Sequence, residues 1–99
     1  MTLRHVVMWK LASTVEAERA DQAARVKAGL ESLPAVVPEI QRFEVGLNSL
    51  PANEFDIVLV SDFADEAALQ RYVEHPEHEK VAAYIRSVVS GRAAVDAEY

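Results

Sequence analysis

The chain predicts an α+β domain of ferredoxin-like type, with the order β-α-β-β-α-β, and three observations lead there. Four short stretches carry the alternation or the β-branched and aromatic content of strands. Two longer stretches repeat apolar residues at helical spacing. The two kinds follow one another in the order that places both helices on one side of an antiparallel sheet.

Residues 3–11, LRHVVMWKL, form the first predicted strand, ending before Ala12-Ser13-Thr14. His5, Val7, Trp9 and Leu11 point one way. Val6 and Met8, flanked by Arg4 and Lys10, point the other. Both faces are apolar at the centre, so both are expected to be covered. Ser13 or Thr14 is expected to cap a helix over 14–33, with Glu16 or Glu18 in its first turn and Ala23, Val26, Leu30 and Leu33 on its apolar stripe. Pro34 and Pro38 bracket a short connection. Residues 40–47, IQRFEVGL, place Phe43, Val45 and Leu47 on one face and Arg42 and Glu44 on the other, the pattern of a half-buried strand.

Turn residues at 48–53 lead to a third strand, FDIVLVSDF at 55–63, with Phe55, Ile57, Leu59 and Phe63 on one face and Val58 and Val60 on the other. A second helical region starts near Asp65, runs through Leu69, Tyr72 and Val73, and breaks at His75-Pro76. It resumes through Val81, Tyr84, Ile85 and Val88 and is expected to end at Gly91. Residues 92–98, RAAVDAE, supply a short last strand.

Ninety-nine residues suffice for one domain over 1–99. A net charge of −6 argues against nucleic acid and anionic membranes as partners. The absence of cysteine excludes disulfides and thiolate metal sites. The strand-like start lacks the features of a signal peptide and no apolar run reaches membrane-spanning length, so a cytoplasmic location is expected. Because the helices cover one face of the sheet, Val6, Met8, Val58 and Val60 would form an apolar patch on the other. A second copy of the chain is the simplest cover, giving a homodimer.

The candidate chemistry centres on His75-Pro76-Glu77-His78. Proline suits the first position of a helix, which makes His75 its cap and places His78 in its first turn. A helix N-terminus disfavours imidazolium, so His78 would stay neutral and able to accept a proton. Tyr72 lies just before the break, where its hydroxyl would reach a substrate carbonyl, and His5 shares a strand face with Val7 and Trp9. These groups suit proton abstraction beside a carbonyl followed by intramolecular carbon–carbon bond formation. His78 is then the base, Tyr72 steadies the enolate oxygen, His5 orients a partner, and no cofactor is required. Structural roles stand beside these. His78 would pin the helix break through a backbone carbonyl, Tyr72 and Trp9 would fill the core, and His5 would be a half-buried structural histidine. His75 and His78 have no third ligand at a suitable spacing, so no metal site is expected. Glu16, Glu18, Asp21 and Glu31 read as a solvated helix face.

The segments Arg4-His5-Val6-Val7-Met8-Trp9-Lys10, Phe43-Glu44-Val45-Gly46 with Asn48, and Leu69-Gln70-Arg71-Tyr72-Val73-Glu74-His75-Pro76-Glu77-His78, with Val95 and Asp96 in the last strand, resemble the stress-responsive dimeric α/β-barrel family, Dabb. The resemblance covers essentially the whole chain. It implies two ferredoxin-like domains whose sheets join face to face into a dimeric α/β barrel. The family includes plant stress proteins, many bacterial proteins, and olivetolic acid cyclase, a polyketide cyclase. It places that enzyme's catalytic histidine on His78, its helical tyrosine on Tyr72 and its N-terminal histidine on His5. In the pocket wall, expected at Val7, Trp9, Ala23, Val26 and Leu59, the chain departs from the cyclase: Trp9 is bulkier, and Ala23 and Val26 replace aromatics. The resemblance implies a cofactor-independent cyclase acting on a polyketide-like carbonyl compound. Its alternatives are a non-catalytic stress protein holding a small apolar ligand and a cofactor-free monooxygenase.

Overall fold

The computed structural model describes Met1–Tyr99, and its sheet is organised around β1 (Leu3–Leu11), which pairs on both sides. The remaining elements are α1 (Glu16–Glu31), β2 (Arg42–Leu47), β3 (Ile57–Phe63), α2 (Glu66–Glu74), α3 (Pro76–Val88) and β4 (Val89–Glu98). The strands form one antiparallel sheet in the order β2-β3-β1-β4. This is the ferredoxin-like β-α-β-β-α-β arrangement, with the second helix divided in two.

Alternation along β1 decides where everything else sits. Val7, Trp9 and Leu11 are buried, as are Ile57, Leu59 and Phe63 on the same face of β3. Val26 and Leu30 of α1, Ala68 and Tyr72 of α2 and Ile85 of α3 close over them, and Leu33 and Val37 seal the end. On the opposite face Val6, Val58 and Val60 are half-buried, Met8 is 37% exposed, and Val95, across from Val6, is 66% exposed. No helix covers that face. None of the helices is long and apolar enough to cross a membrane.

Three local expectations are corrected. Neither Ser13 nor Thr14 caps α1: Val15 holds the N-cap position without a side-chain bond, and the Ser13 hydroxyl accepts from the Val15 N–H at 3.1 Å instead. The helix start is held by Arg19, which donates to the Ser13 carbonyl at 2.7 Å. Gly91 does not end α3. The helix stops at Val88, whose carbonyl accepts from the Ala12 N–H at 2.9 Å, so the chain is drawn into β4 three residues before the expected strand. Gly91 lies inside β4 opposite Lys10 and has no positive φ. β2 and β3 begin two residues later than their alternation implied, at Arg42 and Ile57.

Asp56 ties the mouth of this arrangement together. Its carboxylate accepts from the Leu11 N–H at 2.8 Å and from the Arg19 guanidinium at 2.5 Å, while its own N–H donates to the Trp9 carbonyl at 2.8 Å. One residue thus fixes the end of β1, the start of α1 and the entry to β3. Asp65 does a smaller job, accepting from the Ala68 N–H at 2.8 Å to cap α2. Replacing Asp56 with Ala is expected to cost about 2 kcal/mol, because it strands a backbone donor and a cation together. Asp65→Ala should cost about 1 kcal/mol, as for an ordinary N-cap. Urea unfolding checks both: the midpoint should fall further for Asp56→Ala, with the slope unchanged.

Candidate active site

The break between α2 and α3 builds the site. Pro76 has no N–H, so the Tyr72 carbonyl loses its normal helical donor and accepts from the His75 N–H at 3.1 Å. The Glu77 N–H, which a continuous helix would give to the Val73 carbonyl, is taken by the Nδ1 of His75 at 3.1 Å. That leaves the Val73 carbonyl free, and the Nδ1 of His78 meets it at 2.9 Å. A carbonyl only accepts, so the Nδ1 of His78 carries the hydrogen and the neutral ring keeps its lone pair on Nε2. The bond that pins the helix break also selects the tautomer.

The His78 ring packs on Tyr72 with centroids 4.5 Å apart, and Tyr72 is 1% exposed beneath Phe63 and Phe43. Burial lowers the pKa of His78 from the ordinary imidazole value, partly opposed by the bond to the Val73 carbonyl. Burial also pushes the Tyr72 phenol well above its usual range, so it stays a hydroxyl. His5, 8% exposed, projects from β1, and its Nδ1 meets Asp96 Oδ1 at 2.5 Å. Asp96 stands directly across from His5 in the register of β4 on β1. The carboxylate accepts from Nδ1 and fixes the orientation of the His5 ring.

These three rings share one cavity of about 280 Å³. β1 contributes His5, Val7 and Trp9 to its wall, and β3 contributes Leu59. Above them α3 lays His78, Ala82 and Arg86 in a row at four-residue spacing, with Val81 and Ile85 beside it. Ala23 and Val26 do not line this cavity. α1 reaches it only through Leu30, one turn further on, while Val26 is fully buried in the core and Ala23 packs against it. His75 is committed to its cap, and no three His, Asp or Glu side chains come together to hold a metal. A larger hollow, about 630 Å³, opens near the N-terminus, but Asp65, Glu66, Asp96 and Glu98 supply it with carboxylates and no imidazole.

Reading the sequence missed Arg86, Arg92 and Leu30 as wall residues and Asp96 as the partner of His5. Helical spacing from His78 finds Arg86. Asp96 and Arg92 become visible only once β4 is registered on β1.

The model of the Stress Responsive A/B Barrel Domain family, Dabb, matches residues 3–99. The chain has no match among curated proteins. Among solved structures it is similar to a dimeric protein of unknown function with a ferredoxin-like fold from Bacteroides fragilis, at 32% identity and TM-score 0.94 over 99% of this chain and 96% of that one. A dimeric ferredoxin-like protein of unknown function from Thermobifida fusca is similar at 28% identity and TM-score 0.82, covering 100% of this chain and 92% of that one. A hydroxynitrile lyase from Passiflora edulis shares the fold at 19% identity and TM-score 0.77, covering 97% of this chain and 91% of that one.

The lowered pKa of His78 has a measurable sign. The unfolded chain takes up this proton first, so the contribution of neutral His78 to stability is complete above about pH 6.5 and is lost as the pH falls through the folded value. Urea unfolding between pH 8 and 5 should therefore show a smaller loss for His78→Gln than for the parent. The His78 ring resonances should titrate with a midpoint below 6.5.

Proposed function

The chain belongs to the Stress Responsive A/B Barrel Domain family, and we propose that its cavity is a cofactor-independent acid–base site for a small carbonyl compound, with cyclisation of a polyketide-like substrate as its reaction. The observation that carries the reading is the pairing of an imidazole whose lone pair is on Nε2 with a phenol held neutral, ring against ring, in a small apolar cavity. In this reading His78 Nε2 takes a proton from the carbon beside a carbonyl. The Tyr72 hydroxyl donates to the carbonyl oxygen as it becomes an enolate. The enolate carbon then attacks a second carbonyl of the same molecule, and the imidazolium returns its proton to the new alkoxide. His5, oriented by Asp96, holds the substrate against the other two. Apolar walls strengthen each of these bonds by keeping water out.

A homodimer closed through the open sheet face belongs to the same proposal. Val6, Met8, Val58 and Val60, joined by Val95, form an uncovered apolar strip. Arg4 and Asp62 rim the strip with a two-bond ion pair, at 2.8 and 3.0 Å, that holds the carboxyl below its usual range. The similar Bacteroides and Thermobifida proteins are described as dimeric.

Exchange of α-protons for deuterium in small ketones and β-diketones, followed by proton NMR, tests the chemistry at its first step. The parent should accelerate exchange, and His78→Ala should lose about 10²-fold or more of that rate, the contribution of a positioned base. An unaltered rate in His78→Ala removes this histidine from the mechanism. Sedimentation equilibrium tests the assembly: the parent should be a dimer at micromolar concentration. Val58→Lys should dissociate it, because one unpaired charge in a buried interface costs several kcal/mol. A monomeric parent rules the interface out.

A further inference from the structure

The cavity has a charge that the acid–base reading does not use. Of the ten lysine and arginine side chains, eight lie 3.5 Å or less from a carboxylate. The other two are Arg86 and Arg92, and both line the cavity of His78 and Tyr72. In a chain with 16 carboxylates and a net charge of −6, these two guanidiniums are the ones left without an ion-pair partner. They arrive from different elements. Arg86 stands two turns beyond His78 on α3, and Arg92 stands opposite Trp9 on β4, both exposed at the rim. The charge of Arg86 reaches the catalytic end, where it adds a minor contribution to the lowered pKa of His78.

Two unpaired planar donors above an apolar wall form a receptor for an anion attached to an apolar body. At about 280 Å³ the cavity lies at the small end of ligand sites. We propose that it takes a small keto acid, its body against Trp9 and Leu59, its carbonyl at Tyr72 and His78, and its carboxylate between Arg86 and Arg92. This names the substrate class of the site proposed above and rests on that site being the working one. A guanidinium binds a phosphoryl group as well as a carboxylate, and the small volume of the cavity favours the smaller, planar carboxylate.

Trp9 is the chain's single tryptophan and lines the cavity, so its fluorescence reports binding directly. Three matched probes separate the possibilities: acetophenone, 4-acetylbenzoate and 4-acetylphenylphosphonate. 4-Acetylbenzoate should bind about tenfold more tightly than acetophenone, as expected for hydrogen bonds to a charged group. The double variant Arg86→Gln, Arg92→Gln should lower the affinity for 4-acetylbenzoate to that for acetophenone while leaving acetophenone binding unchanged, which also verifies its fold. Equal affinity of the two probes in the parent overturns the proposal, as does a preference that survives the double substitution. Tighter binding of the phosphonate than of the benzoate overturns the assignment to a carboxylate. Tight, arginine-dependent binding of 4-acetylbenzoate without α-proton exchange upholds the anion site and instead counts against the acid–base chemistry. Silence from all three probes overturns the keto-acid proposal, while α-proton exchange decides the acid–base site separately.

Discussion

The missing N–H of Pro76 is the constraint on which the site depends. A helix through residues 66–88 without it would satisfy the Tyr72 and Val73 carbonyls internally and would turn His78 to wherever its rotamer and neighbours allowed. With proline at that position the Tyr72 carbonyl falls back on His75, His75 captures the Glu77 N–H, and the Val73 carbonyl has no backbone donor left. The His78 ring supplies the missing donor to that carbonyl, at 2.9 Å. The structural role of His78 and the chemical role proposed for it are therefore one arrangement. The hydrogen bond that stabilises the break is the bond that exposes the basic nitrogen.

The sheet supplies the opposite wall and keeps it in place. β1 is paired on both sides, and Asp56 locks its end to α1 and β3, so Trp9 and His5 project from a strand held along its whole length. His5 is further held by Asp96, a contact that exists only because β4 returns antiparallel to β1. The two faces of β1 thus divide the work. One, with His5, Val7 and Trp9, faces the cavity and core; the other, with Val6 and Met8, is the uncovered face proposed for association.

Much of this was legible in the sequence because strong periodicity carries it. The alternation in LRHVVMWKL assigns each side chain of β1 to its face, and the helical stripe through Leu69 and Tyr72, broken at Pro76, locates the break and the cap at His75. What escaped was decided by tertiary contacts. Ser13 resembles an N-cap, yet Arg19 already holds the chain at that corner. Gly91 resembles a helix stop, but pairing with β1 pulls the chain out of the helix sooner. Ala23 and Val26 share a stripe with Leu30, but the helix reaches the cavity only at its last turns. Arg86 and Arg92 read as ordinary surface cations until the fold brings them to one rim.

The chemistry at the helix break depends on which nitrogen of His78 carries the hydrogen, and long-range proton–nitrogen correlation spectra of the imidazole at neutral pH observe that directly. The structure requires a protonated Nδ1 and a pyridine-like Nε2, the state in which His78 is tied to the Val73 carbonyl and free to accept a proton from the cavity. A spectrum with the hydrogen on Nε2 and a lone pair on Nδ1 would contradict both the bond at the helix break and the base proposed from it.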